Sequence, residues 1–244
     1  MGRKPRETVY KDGKKMPVGE YLRTEVEELE REARRFLNFL SNLETELSSL
    51  LHAILNGKKS KVPQAIFFSV SSFDARVNIV ENALLETISE NKRLARLGAK
   101  RIWPYIAEKI GDARKLRNFL AHGVPQIWIF GGKYYVRWMA PIGDVIRIGR
   151  PLARRQIPGI ATADLARGAA PLPHLILCVE AISEIVNASR LRRNRALRER
   201  FALLEGRLTA LRSLSPAVPK TPKQPRPPRP SSASRRKAAL AKQG

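Results

Sequence analysis

Apolar residues recur along the first part of the chain at steps of three and four: Leu22, Val26, Leu29, Ala33, Phe36, Leu40, Leu43, Leu47, Leu50 and Ile54. Such steps keep one stripe on one side of a 3.6-residue helix, so they predict a helix of roughly nine turns. Glu25, Glu27, Glu28, Glu30, Arg31, Arg34 and Arg35 fall off the stripe and read as a solvated face of opposite charges a turn apart. Gly57 is a natural stop. The heptad-like stripe suits either a partner subunit or the other helices of its own bundle. A second helix is expected from about Gln64 to Glu90, with Ile66, Val70, Phe73, Val77, Val80, Leu84 and Ile88 inward. Asp74, Arg76, Asn78 and Glu81 read as its solvated side. A third starts near Trp103–Pro104, where proline suits a first turn, and runs through Ile106, Ile110, Ala113, Leu116 and Leu120 to His122, with Gly123 as its stop.

Beyond Pro125 the period changes from helical to alternating. Ile127–Phe130, then Gly131–Gly132–Lys133, then Tyr134–Met139 read as a β-hairpin with a glycine turn, and Asp144–Ile148 is a candidate third strand. Thr162 and Asp164 offer an N-terminal cap for a short helix, which Pro171 and Pro173 interrupt. Leu175, Val179, Ile182 and Val186 then mark a fourth main helix, and Leu197, Phe201, Leu204, Leu208 and Leu211 carry a helical stripe beyond it. The class is mainly α. The expected parts are a helical bundle over 18–190 with a β-hairpin insertion at about 126–148, and a basic helical extension over 191–214.

Composition adds the flanks. Residues 1–17 mix Lys, Arg, Gly and Pro without period and read as a disordered basic arm. Residues 215–244 hold four Lys, four Arg and no acid amid Pro and Ser, and read as a disordered basic tail. The net charge is +24, and the two ends carry half of it, so the folded part is basic as well. Such a field favours polyanions, nucleic acid first and anionic membrane second. Arg190, Arg192, Arg193 and Arg195 could grip a phosphate backbone, and serve equally well as a solvated helix face. Lys133 and Arg137 sit among Trp128, Tyr134, Tyr135 and Trp138, where aromatic rings could stack on bases or simply hold the hairpin together. A lone cysteine, Cys178, fits a reducing compartment. The first residues lack a signal-peptide pattern, and Glu180 and Glu184 interrupt the best apolar run, so a cytoplasmic protein without a membrane span is expected. No paired cysteines, histidine clusters or phosphate-binding glycine loop call for a metal or cofactor.

Candidate chemistry centres on Leu116–Gly123. With 30 Arg in 244 residues, an Arg–His pair at such spacing is expected by chance about once. Arg167 and His174 form a second pair, but Pro171 and Pro173 lie between them. The phrase Arg117-Asn118-Phe119-Leu120-Ala121-His122-Gly123, closing a helix in an all-α setting, resembles the Arg-Asn-x-x-x-His motif of the HEPN domain family. The surrounding helices, roughly 20–123 and 162–190, resemble its four-helix up-and-down bundle, with the hairpin as an insertion. Val124 and Pro125 follow the histidine, where one toxin branch of the family carries a tyrosine.

The resemblance implies an RNA-cleaving protein of a defence or toxin–antitoxin type, active without a metal, paired as a homodimer and held by an antitoxin protein. His122 would move a proton at the ribose 2′-hydroxyl or the leaving oxygen, Arg117 would stabilise the phosphorane, and Asn118 would orient them. It equally admits a non-catalytic RNA-binding or dimerising module. The chemistry is sound in itself, since imidazole titrates near neutrality and a guanidinium binds phosphate oxygens through two parallel hydrogen bonds. The plain alternative is a polar helix end, with His122 facing the helix dipole.

Overall fold

The structure, a computed structural model, describes residues 8–55, 61–130, 133–139, 159–190 and 194–214. They are mainly helical. In chain order the elements are β1 (Thr8–Lys11), β2 (Lys14–Pro17), α1 (Val18–Ile54), α2 (Val62–Ser69), α3 (Phe73–Glu90), α4 (Lys92–Arg96), α5 (Ala99–His122), β3 (Val124–Phe130), β4 (Lys133–Met139), α6 (Thr162–Ala169), α7 (Leu172–Arg190) and α8 (Asn194–Leu214).

The α1 stripe behaves as its spacing requires: Leu29, Ala33, Phe36, Leu40, Leu43, Leu47, Leu50 and Ile54 are all buried. On the outer face Arg34 pairs with Glu30 at 3.1 Å and Arg35 with Glu32 at 3.6 Å. The segment expected as a disordered arm instead forms a hairpin over residues 8–17, and residues 1–7 lie outside the described set. Asp12 (φ 50) and Gly13 (φ 78) are both left-handed, as a two-residue primed turn requires. Lys11 clamps this hairpin to α1 through Glu25 and Glu28, each at 2.9 Å. Burial works to lower the Lys11 pKa, but the two carboxylates outweigh it and the net shift is upward.

The second predicted helix is two. The chain breaks at Val70–Ser72, where Ser72 caps α3 by accepting from the Ala75 N–H at 3.4 Å. Arg76 fixes the corner: it donates to the Val70 carbonyl at 2.7 Å, pairs with Glu44 at 2.9 Å, and lies over the Phe67 and Phe68 rings. Asp74 likewise pairs with Arg114 of α5. Two residues expected on a solvated face are thus ties between helices.

The up-and-down order is not what these contacts describe. Arg76 near the start of α3 meets Glu44, and Thr87 and Glu90 near its end share a groove with Ile54, so α1 and α3 run in the same direction. The eight-residue α2 supplies the return that a long helix would supply in an alternating bundle. Glu46 faces Glu180 while Arg190 reaches the end of α1, so α7 is parallel to α1 too. Against these three, α5 runs backwards, with Asp74 at Arg114 and with Leu84 and Ile88 beside Trp103. So does α8, with Glu184 at Arg200 and Glu180 at Arg207. Trp103, Ile106 and Ile110 of α5 and Leu175, Val179, Ile182 and Val186 of α7 complete one core with α1 and α3. The α8 stripe is buried as expected.

α5 begins at Ala99, four residues before the expected start, which leaves Pro104 inside the helix. In α6 the cap is a backbone one: the Ala161 N–H donates to Asp164 Oδ2 at 3.1 Å, and Thr162 is already helical. By length and composition Thr162–Arg190 is apolar enough to cross a membrane despite Glu180 and Glu184, although 56% of that window is buried within the fold. The β3–β4 ladder runs from Val124↔Met139 to Phe130↔Lys133, two residues longer at its base than expected, and Trp138 makes a further bridge to Ile160. The candidate strand Asp144–Ile148 lies outside the described residues.

Candidate functional site

The Leu116–Gly123 stretch is the last part of α5. Leu116 and Leu120 anchor it: Leu120 is buried, and Leu116 lies so close to Gly168 of α6 that a Cβ there would sit 2.6 Å from its Cδ2. With those two facing inward, Asn118 and His122 are exposed and Arg117 is half-buried. Asn118 and His122 are four residues apart and share one face of the helix. Arg117 lies about 140° around the axis from His122. Its Nη1 nevertheless donates to Asn118 Oδ1 at 3.4 Å, a long bond that turns the guanidinium toward the Asn118–His122 side.

Gly123 ends the helix for a reason other than the left-handed stop its position invites. Its φ of −101° is open to any residue. What excludes a side chain is the hairpin: a Cβ at 123 would lie 2.5 Å from Trp138 Cδ1 and 2.6 Å from the Met139 carbonyl oxygen. Gly159 (φ +95°) is pressed against the same two residues from the other side. The β4 backbone therefore wedges between the chain leaving α5 and the chain entering α6, and it holds His122 at a fixed exit.

The hairpin's own candidates divide. Lys133 is exposed opposite Phe130, and Arg137 is half-buried opposite Gln126. Trp128 faces Tyr135 across the ladder, Tyr135 lies near Tyr21 of α1, and Val136 joins the core. These aromatics hold the hairpin to α1. The indole N–H groups of Trp128 and Trp138 are buried without a hydrogen-bond partner among the described residues.

Of the arginine cluster around the end of α7, the two described members, Arg190 and Arg195, are placed differently. Arg190 donates to the carbonyls of Ala53 and Ile54 and closes the last turn of α1, and burial lowers its pKa. That is a helix-end contact, and it occupies the fork that a phosphate would need. Arg195 is 94% exposed and pairs with Glu199 at 2.9 Å. Arg192 and Arg193 lie outside the described residues. Of the other Arg–His pair, Arg167 binds Asp164 at 2.8 Å on α6 while His174 is on α7.

Cys178 is fully buried and its thiol is pushed up to about 11 by burial, with Arg207 acting weakly in the other direction, so it is an inert core residue. Among the described residues no three of His, Cys, Asp and Glu converge on a point that could hold a metal ion. No protein-family model, no curated protein and no solved structure matches this chain.

Proposed function

We propose that the chain binds RNA and cleaves it without a metal ion through Arg117, Asn118 and His122, as a homodimer of a defence or toxin–antitoxin type related to the HEPN family. The supporting observation is the exposed His122 at the end of α5, with Asn118 one turn behind it on the same face and Arg117 hydrogen-bonded to that asparagine. RNA carries its own nucleophile, the 2′-hydroxyl. Its oxygen attacks the adjacent phosphorus, the P–O5′ bond breaks, and the proton lost from the 2′-oxygen is replaced by one delivered to O5′. An imidazole suits either transfer at neutral pH, and Arg117 suits the charge that builds on the non-bridging oxygens. A second copy would supply a second His122, so that one takes the proton while the other gives it.

The test compares wild type with His122→Ala and Arg117→Ala on mixed RNA in EDTA. Cleavage by wild type with a loss of at least about a hundredfold in each variant supports the reading. Equal cleavage by all three, or none by wild type, removes it. A second reading, a non-catalytic RNA-binding or dimerising module, is favoured by one observation: a group of basic side chains without an ion pair among the described residues lies at the other end of the bundle from His122.

A further inference from the structure

The ends of α1, α3 and α7 converge at one pole of the bundle, and the chain passes through that pole repeatedly. Each passage is basic. Lys61 precedes α2, Lys92, Arg93 and Arg96 make up most of α4, and Lys100 and Arg101 open α5. All six are exposed, and none makes an ion pair among the described residues. The charges on α1 are different in kind, since Arg23, Arg34 and Arg35 each have a glutamate within one turn. Unneutralised cations gathered on one end repel one another and gather counterions, which a polyanion releases when it binds.

The pole has a shape as well as a charge. Thr87, Glu90, Asn91, Lys92, Arg93 and Ser189 line one open groove, so one carboxylate stands beside its two outer cations, and Asn91 Nδ2 donates to Ser189 Oγ at 3.1 Å and so ties the end of α3 to the end of α7. Arg190 sits in the same groove but is turned inward to the carbonyls of α1, so it holds the wall and leaves the outer cations free. The Thr87 and Ser189 hydroxyls donate within their own helices, so the groups left for a phosphate backbone, which offers acceptors at regular intervals, are the outer cations and the second amide hydrogen of Asn91. Leu55 at the end of α1 and Val62 next to Lys61 in the chain are exposed, which makes an anionic membrane the competing occupant.

We propose that this pole is an RNA-backbone anchor separate from the Arg117–His122 pair. α5 has 24 residues and joins the two, so they stand about 36 Å apart at ~1.5 Å per residue. A strand held by both must follow the bundle along its length, which makes a long or folded RNA a better substrate than a short one. The anchor rests on the reading that the chain binds RNA, but it does not require cleavage.

The experiment uses the full chain and a mixed-sequence single-stranded RNA fully 2′-O-methylated, which can be bound but not cut. Binding is measured across a salt series for wild type, for Lys92→Ala/Arg93→Ala/Arg96→Ala, and for the control Arg23→Ala/Arg34→Ala/Arg35→Ala, with thermal melts to show that both variants fold. Three lost backbone contacts should make the slope of log affinity against log salt shallower by about 2, and the control should change it by less than about 1. A wild-type slope in the first variant, or an equal loss in the control, overturns the anchor. So does a variant that loses only its binding to phosphatidylserine vesicles and keeps its RNA slope. Failure of the catalytic reading is seen separately, as unmodified RNA left intact by a protein whose anchor slope is still present.

Discussion

Arg190→Ala removes the side chain that closes α1. Its guanidinium donates to the Ala53 and Ile54 carbonyls in the last turn of a 37-residue helix, a place where carbonyls otherwise lack intrahelical partners. A hydrogen bond from a charged donor contributes about 1.5–3 kcal/mol where water is excluded, and a cation at a helix C-terminus about 0.3–1 kcal/mol. Arg190 is exposed overall, so solvent screening brings the whole effect down to about 1–2 kcal/mol. For a folded part of this size each kcal/mol moves the melting temperature by about 2–4 °C, so a drop of about 2–8 °C is expected. Calorimetry on the full chain reads it. Arg190→Lys keeps the charge but cannot fork over two carbonyls, and should fall between the two. The slope of RNA affinity against salt should be unchanged in both variants. A melting temperature equal to wild type, or a slope shallower by about 1 as for a lost phosphate contact, would refute this assignment and return Arg190 to the RNA-binding surface.

Other expectations follow from single contacts. Gly123→Ala drives a methyl into Trp138 and the Met139 carbonyl; such overpacking costs about 1–3 kcal/mol, read as a lower melting temperature with a shift in tryptophan fluorescence, and an unchanged melt would deny the close approach. Burial, with a smaller push from Glu180, raises the Glu46 pKa above its ordinary 4.5. The native state therefore holds that proton more tightly than the unfolded chain, and the ionised carboxylate opposes folding at pH 7. Glu46→Gln should melt higher than wild type at pH 7 and the same below about pH 4, whereas a pH-independent difference would contradict the cause. Deleting 215–244 removes eight basic groups and no acid, and should weaken RNA binding and flatten its salt dependence; an unchanged slope would count against the tail as a tether.

What the sequence disclosed depended on whether the deciding interaction was local. The α1 stripe, the Gly-Gly hairpin and the α8 stripe are periodic, and periodicity is set by neighbours three or four residues away. The Val70–Ser72 break was hidden because Val70 and Phe73 keep the stripe in phase across it, and only Ser72 as a cap betrays it. The N-terminal hairpin had a readable signal in Asp12–Gly13, but its basic, low-hydrophobicity surroundings read as disorder until Lys11 found Glu25 and Glu28. The shared direction of α1 and α3 follows from the short α2, which no local pattern distinguishes from the first turns of one long helix. At the site, the Arg117–His122 phrase was legible and its exposure was not. The contacts of Arg190 were illegible for the same reason: its partners are backbone atoms more than a hundred residues away.

The most direct test of the central claim is the chemistry of the RNA ends. Attack by the 2′-oxygen leaves a 2′,3′-cyclic phosphate, or the 2′- or 3′-phosphate from its opening, on one fragment and a 5′-hydroxyl on the other. Incubation of wild-type protein with mixed RNA in EDTA, followed by end-group analysis, should return those ends, and His122→Ala should return almost none. RNA left intact by wild type, or fragments ending in 3′-hydroxyl and 5′-phosphate, would contradict the account.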